Sequence, residues 1–206
     1  ETYDIGDANL KKETSKNIDL SLQKTAQALR WKANVFQNKV KNFVYGSLSP
    51  AVQGIADGME FDRTFSQADA TLRGVEAELS YNYYDPGWFG RIFADTSRGT
   101  LDNLGNLPLQ PSMRTGLSFG YTNSQWRSSL SVLHASAQNR IASSSISEET
   151  TTPAYTRVDA SINYVQRYGT TDVTWFLLAR NLLNEEIRLS TSLLKDYLPQ
   201  PGRNLM

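Results

Sequence analysis

Glu76 and Glu78 are the first residues whose spacing could do chemistry. In an extended chain, residues two apart point to the same side, so the two carboxylates share a face. Paired carboxylates can work as acid and base. No nucleophile or second reacting group accompanies this pair, and a polar wall with charge ladders to Arg91 or Arg114 is the preferred account of them. A second set of carboxylates, Glu148, Glu149, Glu185, Glu186 and Asp196, falls in stretches that read as long polar loops. Such oxygen ligands could hold a hard cation or assist a neighbouring histidine at zinc. A hydrophilic loop surface needs no ligand to explain them. The chain has one histidine, His134, too few for a multi-histidine zinc centre, so His134 is either a metal ligand or an ordinary strand residue. It has no cysteine, which removes disulfides and thiolate metal sites. Neither a phosphate-cradling glycine pattern nor a Ser/His/Asp constellation is present. The expectation is a protein that is not an enzyme and carries no cofactor. Lys plus Arg equals Asp plus Glu at 21 each, which argues against a nucleic-acid partner.

The elements that must position these residues alternate with period two, the pattern of a half-buried strand. Ile18, Leu20 and Leu22 share one face, and Leu29, Trp31, Ala33 and Val35 do the same. The clearest run sets Val75, Ala77, Leu79, Tyr81 and Tyr83 against Gly74, Glu76, Glu78, Ser80 and Asn82. Further runs cover Trp88 to about Thr100, Met113 to Tyr121, Trp126 to about Arg140, Arg157 to Tyr164, and Val173 to Ala179. Segments 1–13, 46–60, 101–111 and 141–153 read as loops from their Gly, Pro and Ser content. Residues 60–67 could extend the neighbouring strand.

About eight strands result, joined by short turns near 26, 86, 123 and 169 and by long loops near 50, 105, 147 and 190. Strands of about 9–11 residues, with short turns on one side and long loops on the other, fit a membrane-crossing β-barrel. Tyr81, Tyr83, Trp88, Tyr121, Trp126 and Tyr164 lie near strand ends, where such barrels carry aromatic girdles. A soluble sandwich or ligand-binding barrel would also alternate. Two features favour the membrane barrel. The polar face carries the charges Glu76, Glu78, Arg114, Arg157 and Asp159 while the other stays uncharged, and loop length segregates by side. The predicted fold is therefore all-β, with antiparallel up-and-down transmembrane strands. In lipid an open eight-strand set would leave unpaired edges, so these strands are expected to be part of a larger barrel.

Several stretches, in order along the chain, resemble TonB-dependent outer-membrane receptors. Leu10-Lys-Lys-Glu-Thr-Ser15 is similar to that family's Leu-x-Pro-Glu-x-Ser segment, with Lys12 where proline is usual. Val35-Phe-Gln-Asn-Lys-Val-Lys-Asn-Phe-Val44 resembles its phenylalanine-containing strand end, and Gly74-Val-Glu-Ala-Glu78 its Gly-x-Glu strand. Ala179-Arg-Asn-Leu-Leu-Asn-Glu-Glu186 resembles the end of the penultimate barrel strand, and Pro199-Gln-Pro-Gly-Arg203 the opening of the last. Leu107-Pro-Leu-Gln-Pro-Ser-Met-Arg114 and Thr191-Ser-Leu-Leu-Lys-Asp196 resemble a subgroup associated with zinc or other metal uptake. That subgroup is described as having His-rich outer loops, which His134 alone does not reproduce.

The resemblance implies that residues 1–206 are the C-terminal part of a receptor barrel, about eight of some 22 strands, with the plug domain and final strand outside them. It implies an outer-membrane active-transport receptor of a Gram-negative bacterium. Such a receptor imports a scarce solute, a metal ion or a metal chelate such as a siderophore. Its partners would be outer-membrane lipid, the solute, and the TonB complex acting through the N-terminal plug. Glu148, Glu149, Glu185, Glu186 and Asp196 become candidates for meeting the solute. Glu76, Glu78, Arg114, Arg157 and Asp159 become lumen-facing groups. The alternative is a small self-closed outer-membrane barrel with a structural or adhesive role.

Overall fold

The computed structural model describes residues 2–26, 28–50, 61–83, 86–144, 146–147 and 149–206. Its strands are β1 (Thr2–Ile5), β2 (Thr14–Lys24), β3 (Leu29–Pro50), β4 (Phe61–Tyr81), β5 (Gly87–Leu101), β6 (Gly105–Asn106), β7 (Arg114–Thr122), β8 (Trp126–Ala135), β9 (Tyr155–Tyr168), β10 (Thr171–Arg180) and β11 (Asn204–Leu205). One sheet holds them in the order β11-β10-β9-β8-β7-β5-β4-β3-β2, with β1 added to β4 and β6 to β5. The eight long strands are those the alternation predicts, each antiparallel to the long strands beside it. Among the described residues β2 does not pair with β10, so the sheet is open and the self-closed barrel is not formed.

Register carries the alternation across strands. Val75 stands opposite Val35, Leu79 opposite Trp31 and Ile92, and Leu117 opposite Ile92 and Val132. One face is therefore apolar yet exposed: Leu20 is 64%, Ile92 52% and Trp175 60% accessible. Water would oppose so broad an apolar surface. A hydrocarbon layer satisfies it, because backbone groups within the sheet are bonded from strand to strand. Trp88 stacks on Phe119 at 5.2 Å and meets Tyr121 at 5.1 Å, and Trp126 lies 4.4 Å from Tyr164. These rings cluster at the short-turn end, the place of an interfacial aromatic girdle.

Three sequence expectations need correction. Segment 1–13 is not all loop, because Thr2–Ile5 pairs in parallel with Phe61–Thr64. The expected loop 46–60 is narrower, since β3 runs through Gly46 to Pro50 against Phe61–Phe65; the part at 51–60 lies outside the described residues. Strand β8 stops at Ala135 instead of near Arg140, and Gln138 instead makes an isolated bridge to Thr152. These differences all lie at the long-loop end, where strands rise past the lipid and lose the alternation that lipid imposes.

Candidate functional site

The polar face of the sheet, the lumen side of a barrel, carries Glu76 and Glu78 on β4 with Arg91, Phe93 and Asp95 opposite on β5. Glu78 accepts a hydrogen bond from Arg91 at 2.7 Å. Arg114 on β7 grips Asp95 with two bonds of 3.0 and 3.1 Å. These pairs and Lys32 line one depression, in which both signs of charge alternate. The expected ladder from Glu78 to Arg91 is present, whereas Arg114 reaches Asp95 and not the glutamates. Farther along, Arg157 bonds Asp159 at 2.9 Å, and the other Asp159 oxygen accepts the Asn181 N–H at 3.0 Å. All these pairs are partly exposed, so each adds little stability. They make a wetted, charge-balanced wall.

Glycines shape that wall. Gly74 faces Phe36, and a Cβ there would lie 2.5 Å from the Phe36 ring and 2.8 Å from the Thr96 carbonyl. Phe93 covers Gly116 and Phe89 covers Gly120 in the same way, at 2.1 and 2.5 Å from where a Cβ would be. Each ring occupies the space over a glycine of the neighbouring strand, replacing the packing that glycine lacks. The Gly-x-Glu stretch and the phenylalanine-containing stretch thus have one physical cause: the glycine makes room for the ring.

Above the wall, the long loops join into one body. Leu107 packs over Gly99, in a cluster with Val40, Ala70, Leu101, Ala142 and Ile146. Gln110, buried, bonds both the N–H and the carbonyl of Gly99 at 2.9 Å. Buried Gln138 donates to the carbonyls of Gln110 and Pro111. Glu149 accepts the Leu109 N–H at 3.1 Å and the Ala142 N–H at 3.2 Å, and its carboxylate lies 3.8 Å from Lys195 Nζ. Both side chains of that ion pair are almost fully buried, at 1% and 4% exposure. Lys195 also donates to the Thr150 carbonyl and to Thr152 Oγ1. Segments 102–113, 136–154 and 181–203 are thereby tied at one point. Sequence reading places Glu149 among loop carboxylates but gives no sign of its partner, 46 positions away in the chain.

The remaining candidates separate. Asp196 accepts from Thr150 Oγ1 at 2.7 Å, and Glu186 pairs with Arg188 at 2.8 Å; both are exposed. Glu185 uses its backbone on both sides of the Asn181 side chain, at 2.8 and 3.0 Å, and the residue is half-exposed. Glu148 lies outside the described residues. His134 sits on the apolar face of β8, with Nδ1 3.0 Å from Thr156 Oγ1 and Thr115 opposite. Among the described residues, no three His, Asp or Glu side chains converge to hold a metal ion.

Two further motif stretches act as pins. Asn181 and Asn184 both take left-handed backbone, with φ of 51° and 53°. The Asn181 side chain donates to the Pro201 carbonyl at 3.4 Å, and Asn184 Oδ1 accepts the Arg203 N–H at 3.0 Å. The end of β10 and the Pro-Gly-Arg stretch therefore close one loop. At the other edge, Asn42 (φ 55°) lies in the interruption of pairing between Val40 and Phe43. Its N–H goes to Asp69, while Gln67 bonds both the N–H and carbonyl of Lys11, and Glu13 accepts the Val44 N–H. Leu10–Ser15 is thus docked on the β3 bulge.

Residues 1–182 match the family model for the TonB dependent receptor-like beta-barrel. Among solved structures, the chain superposes on the copper transporter OprC with a TM-score of 0.80 at 19% identity, over 96% of this chain and 31% of that one. It superposes on the FrpB iron transporter from Neisseria meningitidis with a TM-score of 0.70 at 15% identity, over 98% and 32%. A ferric enterobactin receptor, PfeA of Pseudomonas aeruginosa, gives 0.67 at 17%, over 95% and 30%. The chain thus spans about a third of the length of these structures, and at such identities the likeness is one of fold.

Proposed function

Since this chain belongs to the TonB-dependent receptor β-barrel family of the Gram-negative outer membrane, a family of non-enzymatic transporters, we propose that it forms the wall and outer loops of a receptor importing a scarce metal ion or metal chelate. A siderophore complex or zinc fits that class. Energy would come from the TonB complex acting through an N-terminal plug. The observation that carries this reading is the joining of three long loops above a charge-balanced polar wall. A structural barrel needs no such locked cap. A receptor does, because a preformed binding surface loses less entropy when the solute arrives.

In this reading, Glu185, Glu186, Asp196 and Glu148 are the loop carboxylates offered to the solute. Glu149 holds the surface in shape instead. Glu76, Glu78, Arg114, Arg157 and Asp159 supply the wetted path below. The test uses the complete receptor, titrated with copper, zinc and ferric siderophores. A Glu185→Gln/Glu186→Gln/Asp196→Asn variant should bind its solute roughly tenfold more weakly, since charged ligands dominate hard-cation affinity. Barrel assembly, read as heat-resistant migration on gels, should not change. Unchanged affinity for every solute would remove these residues from the site.

A further inference from the structure

Leu10–Ser15 has no task in solute capture, yet it is fastened to a joint in the wall. Strands β3 and β4 outrun their neighbours at the long-loop end. β2 starts at Thr14, opposite Lys41, and β5 stops at Leu101, opposite Ala70. Beyond those points β3 and β4 stay paired from Phe43–Ala68 to Pro50–Phe61 as a ribbon. A two-stranded ribbon is marginal by itself in water. Between ribbon and wall the ladder slips: Val40 faces Ala70 and Phe43 faces Ala68, so β3 spends one residue more than β4. Asn42 takes up the slack in left-handed backbone, with φ of 55°. A bulge bends its strand and leaves part of the ladder unmade, which makes this the natural place for the ribbon to pivot.

The residues before β2 lie across that pivot. Gln67 accepts the Lys11 N–H and donates to the Lys11 carbonyl, both at 2.6 Å, as a strand backbone would. The same amide donates to the Asn42 carbonyl at 2.8 Å. Asn42 Nδ2 donates to the Lys12 carbonyl at 3.2 Å, and Glu13 accepts the Val44 N–H. Farther along the ribbon, Asp4 pairs with Arg63 at 3.7 Å, and Thr2–Ile5 adds a third strand. One segment thus spans ribbon and pivot and runs directly into β2 of the wall. On the ribbon's other face, Phe43, Tyr45 and Ala68 lean on the cap cluster around Leu107. Gln67 is next to Ala68 in the strand and so points away from that cluster. The ribbon is therefore held from two sides. Apolar packing holds it toward the cap, and exposed polar bonds, each weak alone, hold it toward segment 2–13.

We propose that residues 2–13 are a strap that fixes the tilt of the β3–β4 ribbon against the cap, with the bulge at Asn42 as hinge and Gln67 as fastening. Unfastened, the ribbon swings at the bulge and widens the gap beside the cap, while the wall keeps its register. At about 3.3 Å per residue the ribbon is roughly 25 Å long, so a tilt of about 10° moves its far end about 4 Å. The test uses the complete receptor with nitroxides at Ser49→Cys on the ribbon and Thr25→Cys in the first short turn; this chain has no cysteine of its own. Gln67→Ala should lengthen or broaden the distance between the labels by about 4 Å. Amide exchange at 43–50 and 61–68 should quicken roughly tenfold, the scale on which one such bond protects a segment, while 29–40 and 70–81 stay as they were. Gln67→Glu, which keeps the acceptor but not the donor, should fall between. Asn42→Gly, which keeps the left-handed turn but drops the Lys12 bond, should act in the same direction. Heat-resistant migration on gels checks that each variant has assembled. An unchanged distance in both Gln67→Ala and Asn42→Gly would overturn the proposal, because packing at Phe43 and Tyr45 would then hold the ribbon alone. So would equal loosening of wall and ribbon, which would make the segment an ordinary contributor to barrel stability.

Discussion

At the residue scale, the buried pair Glu149–Lys195 is the contact on which the outer cap most depends. Glu149 spends both oxygens on backbone N–H groups of two loops, and Lys195 brings the third. Removing one partner of a buried pair leaves an uncompensated charge and costs roughly 3–5 kcal/mol. Lys195→Met should therefore open the cap locally without unfolding the barrel. Hydrogen exchange in the complete receptor should show lost protection at 102–113 and 136–154, with the strands β7 to β9 unchanged. Protection retained in all three loops would mean that the apolar cluster around Leu107 holds the cap alone. The residue types here were visible in the sequence, but their pairing was not. Nothing local joins position 149 to position 195, and a carboxylate in a polar stretch looks the same whether it meets solvent or a buried ammonium.

At the element scale, the strands were legible wherever lipid dictates them. A strand between lipid and a wet lumen must alternate, and the eight long strands follow from that single requirement. Legibility fails above the lipid. Gly46 and Pro50 read as breakers, yet β3 continues through Gly46 and ends only at Pro50, with Arg63 lying across Gly46 where a Cβ would be only 2.7 Å away. The parallel strand Thr2–Ile5 depends on a partner some 60 positions distant, which no local pattern encodes. The motif stretches prove to be loop roots: Asn181 and Asn184 turn the chain in left-handed backbone and hold the returning Pro201–Arg203. Asn181→Ala/Asn184→Ala should free that loop, each strained turn and lost bond costing about 1–3 kcal/mol. Limited proteolysis should then cut within 182–203 several times faster than in the wild type. An unchanged cutting rate would show that Lys195 alone fixes the loop.

At the scale of the whole molecule, the two faces answer different solvents. The outward face is mostly apolar but, against the expectation of an uncharged face, carries Lys24 near the short turns and Lys16, Lys39, Arg73 and Arg98 toward the long loops, while the inward face balances Glu78, Asp95 and Asp159 against Arg91, Arg114 and Arg157. The sheet is open at β2, a strand exposed along its whole length, and an unpaired edge is not tolerated within hydrocarbon. Wall and cap therefore make sense as a sector of a larger barrel. The solute is named by loop chemistry that residue types alone do not reveal, since oxygen ligands in loops suit several cations. The most direct measurement is uptake of labelled copper, zinc and ferric siderophores by cells whose only such receptor is the complete protein. At least one of these solutes should enter well above background, and its entry should fall to background when TonB is deleted or the proton-motive force is collapsed. Uptake that persists without TonB, or no uptake of any metal form, would contradict the assignment.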